Sequence, residues 1–126
     1  MTAQTLDQKP LALVIEDDNM QATVFAQALR MADFETEIIQ NGREALNRLS
    51  EVVPALVVLD LHLPEVAGKD IFEQIKADER LVKTRVMLAT ADPLLAESLR
   101  AGVNLVLLKP ISFNQLRDLA SRFRPR

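Results

Sequence analysis

Two patterns of apolar positions alternate along the chain. Continuous apolar runs occur at residues 11–15 (LALVI), 55–59 (ALVVL), 85–89 (RVMLA) and 105–108 (LVLL), with a more mixed run at 36–40 (TEIIQ). Their valine and isoleucine content, and the turn-forming residues that follow, favour strands over short buried helices. Between them apolar residues recur at helical spacing. The first set is Met20, Val24, Gln27 or Ala28, and Met31, and Ala45, Leu46 and Leu49 follow Gly42. Ile71, Phe72 and Ile75 follow Gly68, and Leu94, Leu95 and Leu99 follow Pro93 and end before Gly102. Ser112 stands as an N-cap before Phe113, Leu116, Leu119, Ala120 and Phe123. The methionines are spaced as core fillers, and the charges between Lys69 and Arg80 read as a solvated face.

The sum is five strand-then-helix units with short connections. That order predicts an α/β domain: a doubly wound parallel sheet, covered by helices on both faces. Continuous rather than alternating hydrophobicity agrees, because such strands are buried on both sides. The 126 residues suit one domain at 11–123, with a polar N-terminal lead at 1–10 and a basic tail at 124–126.

Composition removes several classes of function. The chain has no cysteine, so disulfides and thiolate metal sites are out. A net charge of −3 gives no basic footprint for nucleic acid. No apolar run approaches the roughly 18 residues of a membrane span, and the lead lacks the apolar stretch of a signal peptide.

In a parallel sheet all strand C-termini point to one edge, where ligands of open α/β folds bind. The polar residues that follow the runs therefore converge. Glu16 and Asp17 follow the first run, Asp60 the third, Thr90 the fourth and Lys109 the fifth. Three carboxylates and one lysine sum to −2, which a single divalent cation neutralises. The donors are hard oxygens with no His or Cys at ligand spacing, which selects Mg²⁺, with Mn²⁺ also compatible. An aspartate can act as a nucleophile toward phosphorus, and a lysine and a threonine hydroxyl can donate to phosphoryl oxygens.

These residues, with the stretch DLHLPEVAG from Asp60 to Gly68 and the pair Lys109-Pro110, resemble the receiver domain of two-component response regulators. The resemblance runs from about Ala12 to Phe123. It implies a flavodoxin-like sheet in the order 2-1-3-4-5 and a cis Lys109–Pro110 bond. It implies Asp60 as the phosphoacceptor, taking its phosphoryl group from the histidine of a sensor kinase or phosphotransfer protein. Asp17, Asp60 and the backbone carbonyl of His62 would hold Mg²⁺, and Glu16 would reach it through water. Lys109 would pair with Asp60 and then with the phosphoryl group. Thr90 would move toward that group and shift the face beside it, for a downstream protein target or a phosphorylation-driven homodimer. The protein would be cytoplasmic, and no enzyme beyond its own phosphorylation and dephosphorylation.

Bland roles compete at several positions. Asp17, Asp18 or Asn19 could cap the first helix, and an Asp after a strand is often a turn former. Thr90 before Ala-Asp-Pro could be only a helix entry. The His62 side chain is expected to be exposed and without chemistry of its own. His62 and Asp92 sit at positions that vary within the family and influence how long the phosphoryl group lasts. Val106 stands where many receivers carry Tyr or Phe, a ring that turns inward when the threonine moves. That substitution supports the competing reading, an interaction module that works without phosphorylation. A haloacid-dehalogenase-type phosphatase would need a second Asp where His62 stands, and no glycine-rich loop follows the first strand for dinucleotide binding.

Overall fold

The computed structural model describes residues 8–100 and 105–125. Five strands, β1 (Leu11–Ile15), β2 (Glu35–Ile39), β3 (Leu56–Asp60), β4 (Arg85–Thr90) and β5 (Leu105–Leu108), form one sheet. Every neighbouring pair is parallel, in the order β2-β1-β3-β4-β5. The five α-helices are α1 (Asn19–Met31), α2 (Gly42–Glu51), α3 (Gly68–Ala77), α4 (Pro93–Leu99) and α5 (Phe113–Ser121), with a 3₁₀ turn at Glu79–Leu81.

The runs are continuous because alternate residues of each strand serve different cores. Ala12, Val14, Leu56, Val58, Met87 and Ala89 pack with α1 and α5. Leu13, Ile15, Val57, Leu59, Val86, Leu88 and Val106 pack with α2, α3 and α4. Short polar residues start most of the helices: Asp18, Asn41, Asp92 and Ser112 each accept a backbone N–H of the first turn. Asp18 is thus the cap of α1, and Asp17 stays free of that task. Gly102 lies outside the described residues.

Two expectations change. The stripe Met20, Val24 and Met31 is the exposed side of α1; its buried side is Ala22, Phe25, Ala26, Ala28 and Leu29. Both stripes are apolar, and the alanine-rich one wins because small side chains let the helix lie close to the sheet and α5. Met20 is 78% and Met31 66% exposed, so only Met87 among the described methionines fills core. The second change concerns strand ends. β3 and β4 run one residue past the apolar runs, making Asp60 and Thr90 the last ladder residues rather than loop residues. Asp60 pairs with Ala89 and Thr90 with Leu108, and Leu61 N–H continues to Ala89 O at 3.1 Å.

Candidate functional site

The strand ends bring together the residues that the sequence singles out. Glu16 follows β1 and its N–H is bonded to Ile39 O at 2.9 Å, so the β1–β2 ladder still directs it. Asp60 closes the central strand β3. Lys109 follows β5, held by its N–H to Thr90 O at 2.7 Å, and its bond to Pro110 is cis. Glu16 is 1% exposed, Asp60 4% and Thr90 0%, whereas Asp17 is exposed.

One ligand oxygen from each of Glu16, Asp17 and Asp60 lies within 4.8 Å of the other two. Carboxylates so close repel, and Lys109 offsets part of that. Its Nζ donates to Glu16 Oε1 at 2.8 Å and stands 3.6 Å from Asp60 Oδ2. The ammonium is therefore nearer Glu16 than Asp60, the reverse of the expected pairing. Glutamate has one methylene more than aspartate, and its buried carboxylate needs the charge-assisted bond. Glu16 Oε2 also accepts Asp18 N–H at 3.2 Å. Burial nonetheless pushes the Glu16 carboxyl up to about 7; the Lys109 hydrogen bond opposes this and the Asp60 charge adds to it. The donor set fits a hard divalent cation: three carboxylates, only oxygens, and one of them on an exposed residue.

The loop after β3 is held close. Gly68 opens α3 with its N–H to Leu61 O at 3.3 Å. A Cβ there would stand 2.3 Å from Asp60 O and 2.6 Å from Leu61 Cα. Only glycine lets α3 start against the backbone that carries Asp60.

His62 departs from expectation. Its N–H donates to Asp60 Oδ1 at 3.1 Å. The residue is exposed as expected, but its ring is not idle, because Nε2 lies 3.3 Å from Thr90 Oγ1. Thr90 Oγ1 also accepts Asp92 N–H at 3.1 Å, and Asp92 caps α4 through Leu94 and Leu95. A line of hydrogen bonds thus runs from Asp60 through His62 and Thr90 to the start of α4. No local spacing signals the ring contact, since 28 residues separate the partners. Val106 is 6% exposed and packs among the α2/α3/α4-side core.

The family pattern of the response regulator receiver domain matches residues 12–121. The chain belongs to that family. Among its curated relatives is the probable methanogenesis regulatory protein FilR2 of Methanothrix harundinacea, 35% identical over 118 residues, covering 85% of this chain and 76% of FilR2. The signal receiver domain of a signal transduction histidine kinase from Syntrophus aciditrophicus superposes with a TM-score of 0.79 at 30% identity, covering 90% of this chain and 89% of that one. The receiver of the sensor histidine kinase PA1611 from Pseudomonas aeruginosa PAO1 does so at 0.81 and 24% identity, covering 92% and 98%. That structure holds a magnesium ion in its active-site cleft. This receiver has the flavodoxin-like fold and strand order of its family, with the acidic cluster at the C-terminal edge of the sheet.

Proposed function

We propose that this receiver is a phosphorylation switch of a two-component pathway, with Asp60 as the phosphoacceptor. The observation that carries this is the convergence of three carboxylates on one another at the end of the central strand, with the Lys109 ammonium against two of them, Glu16 and Asp60. Asp17, Asp60 and the His62 carbonyl would hold Mg²⁺, with Glu16 reaching it through water, and the bound ion would neutralise the charge of an incoming phosphate. The magnesium in the PA1611 receiver supports that choice of metal.

The chain's own residues supply the rest. An Asp60 carboxylate oxygen forms the new O–P bond while the bond from phosphorus to the donor's histidine nitrogen breaks. The electron pair leaves with that nitrogen. Lys109 donates to the phosphoryl oxygens, exchanging its bond to Glu16 for them. The Thr90 hydroxyl donates to another, which moves the β4–α4 connection. The donor is a sensor kinase or a histidine phosphotransfer protein, and the output is contact with a downstream protein or a second copy. A largely apolar cleft of about 480 Å³ beside Lys109, between Met20, Val24, Ala91 and Ile111, offers the donor a docking face. No helix among the described residues is long and apolar enough to cross a membrane.

The test is intact-mass spectrometry after incubation with acetyl phosphate and Mg²⁺. A single phosphoryl adduct is expected on the wild type, with none on Asp60→Asn and none in excess chelator. An equal adduct on Asp60→Asn would reject Asp60. No adduct from acetyl phosphate or from a phosphohistidine donor would favour an interaction module that works unphosphorylated, which Val106 supports.

A further inference from the structure

Thr90 is fully buried at the end of β4. A hydroxyl has one hydrogen to donate and two lone pairs to accept with. Asp92 N–H takes one lone pair, at 3.1 Å. The second contact is His62 Nε2 at 3.3 Å, and the hydrogen between them can sit on either atom. If Nε2 carried it, both contacts would use Thr90 lone pairs. The threonine's own hydrogen would then be buried with no acceptor among the described residues, which is costly. The arrangement that satisfies every group has Thr90 donating to a bare Nε2, with the ring hydrogen on Nδ1.

That assignment has a consequence for switching. A phosphoryl group on Asp60 offers only acceptors. It needs the same single hydrogen that Thr90 gives to His62, so the two acceptors compete for it. We propose that His62 is a positioning residue for Thr90: its Nε2 holds the Thr90 hydroxyl in the unphosphorylated arrangement and thereby sets the threshold for the switch. The proposal deepens the phosphorylation switch and rests on it for the competing acceptor. The ring contact itself exists without any phosphodonor. His62 also touches Asp60 through its N–H, so one residue bridges the phosphoacceptor and the threonine.

A neutral hydrogen bond of this kind shifts an equilibrium by roughly two- to tenfold. The test compares wild type with His62→Phe, which keeps a ring over Thr90 but no acceptor, and His62→Gln, whose Oε1 can replace Nε2. The Thr90 methyl is followed by ¹H–¹³C NMR, with its χ1 couplings, first without metal or phosphodonor. Beryllofluoride with Mg²⁺ is then titrated as the phosphoryl mimic, and a thermal melt checks that each variant folds. In His62→Phe the donor-free Thr90 signal is expected to move toward the beryllofluoride-saturated wild-type position. Beryllofluoride should bind it roughly two- to tenfold more tightly, with His62→Gln returning both readouts toward wild type. An unmoved Thr90 signal in folded His62→Phe, or unchanged or weaker beryllofluoride binding, overturns the proposal. If wild-type Thr90 does not respond to saturating beryllofluoride, the phosphorylation switch itself fails. The donor-free comparison still decides whether His62 holds the hydroxyl.

Discussion

At the residue scale, the buried carboxylate of Glu16 sets up the clearest pH dependence. Its folded value of about 7 lies above the ordinary 4.5, so between those values the folded protein binds more protons than the unfolded one. Stability of the chelator-treated protein is therefore expected to fall as pH rises through that window and then level off. Thermal melts across it should show the decline in wild type and a flatter profile in Glu16→Gln; identical profiles would contradict the buried, proton-holding Glu16. The same linkage predicts tighter Mg²⁺ binding at pH 8 than at pH 6, because the metal competes with that proton. Titration calorimetry in two buffers of different protonation enthalpy would show the proton release. Lys109 faces two carboxylates and is close to both, so Lys109→Ala leaves Glu16 buried without its cation. That variant should hold Mg²⁺ at least as well as wild type yet label with acetyl phosphate at least tenfold more slowly, measured by intact mass.

At the element scale, the site depends on how near α3 comes to the end of β3. Gly68→Ala places a methyl carbon against the Asp60 carbonyl, and backbone on that side cannot rotate away. A loss of about 1–3 kcal/mol is expected from overpacking, read as a lower urea midpoint, together with slower phosphorylation because the displaced backbone is that of Asp60. A variant as stable and as reactive as wild type would show that α3 does not fix the site. Strand order along the chain, the helix start at Ser112 and the polar residue at the end of each run were legible from periodicity and capping chemistry, whereas the first helix's cap was narrowed only to Asp17, Asp18 or Asn19. The buried side of α1 was not legible. Met20, Val24 and Met31 compete with Ala22, Phe25, Ala26 and Leu29 at the same period, and only close packing against the sheet and α5 decides between them. The partner of Lys109 was equally hidden, because it depends on the reach of Glu16 within a three-dimensional cluster. So did the contact between the His62 ring and Thr90, which no local spacing encodes.

At the scale of the whole molecule, two cores cover the two faces of the sheet. α1 and α5 share one core, next to the cleft at Met20 and Val24. α4 sits on the other, reached from Asp60 through His62, Thr90 and Asp92. On the proposed switch, the donor docks at that cleft and the response runs toward α4, and the two meet at the strand ends, where Ala91 lines the cleft. Met20→Lys is expected to leave labelling by acetyl phosphate within about twofold of wild type while slowing transfer from the cognate phosphohistidine protein tenfold or more. Equal slowing with both donors would place Met20 in the chemistry rather than in docking. Val106 has no ring to rotate, so the response to phosphorylation should concentrate where Thr90 and Asp92 act. Hydrogen exchange with and without beryllofluoride should change most over residues 91–99 and little over β5.

All of this depends on where the phosphoryl group goes. Borohydride reduces an aspartyl phosphate to homoserine, which peptide mass spectrometry locates to a single residue. After labelling with acetyl phosphate and Mg²⁺, homoserine is predicted at position 60 and nowhere else. Homoserine at position 17 or 18 instead, or none at 60 in a protein that has gained the phosphoryl mass, would contradict the account.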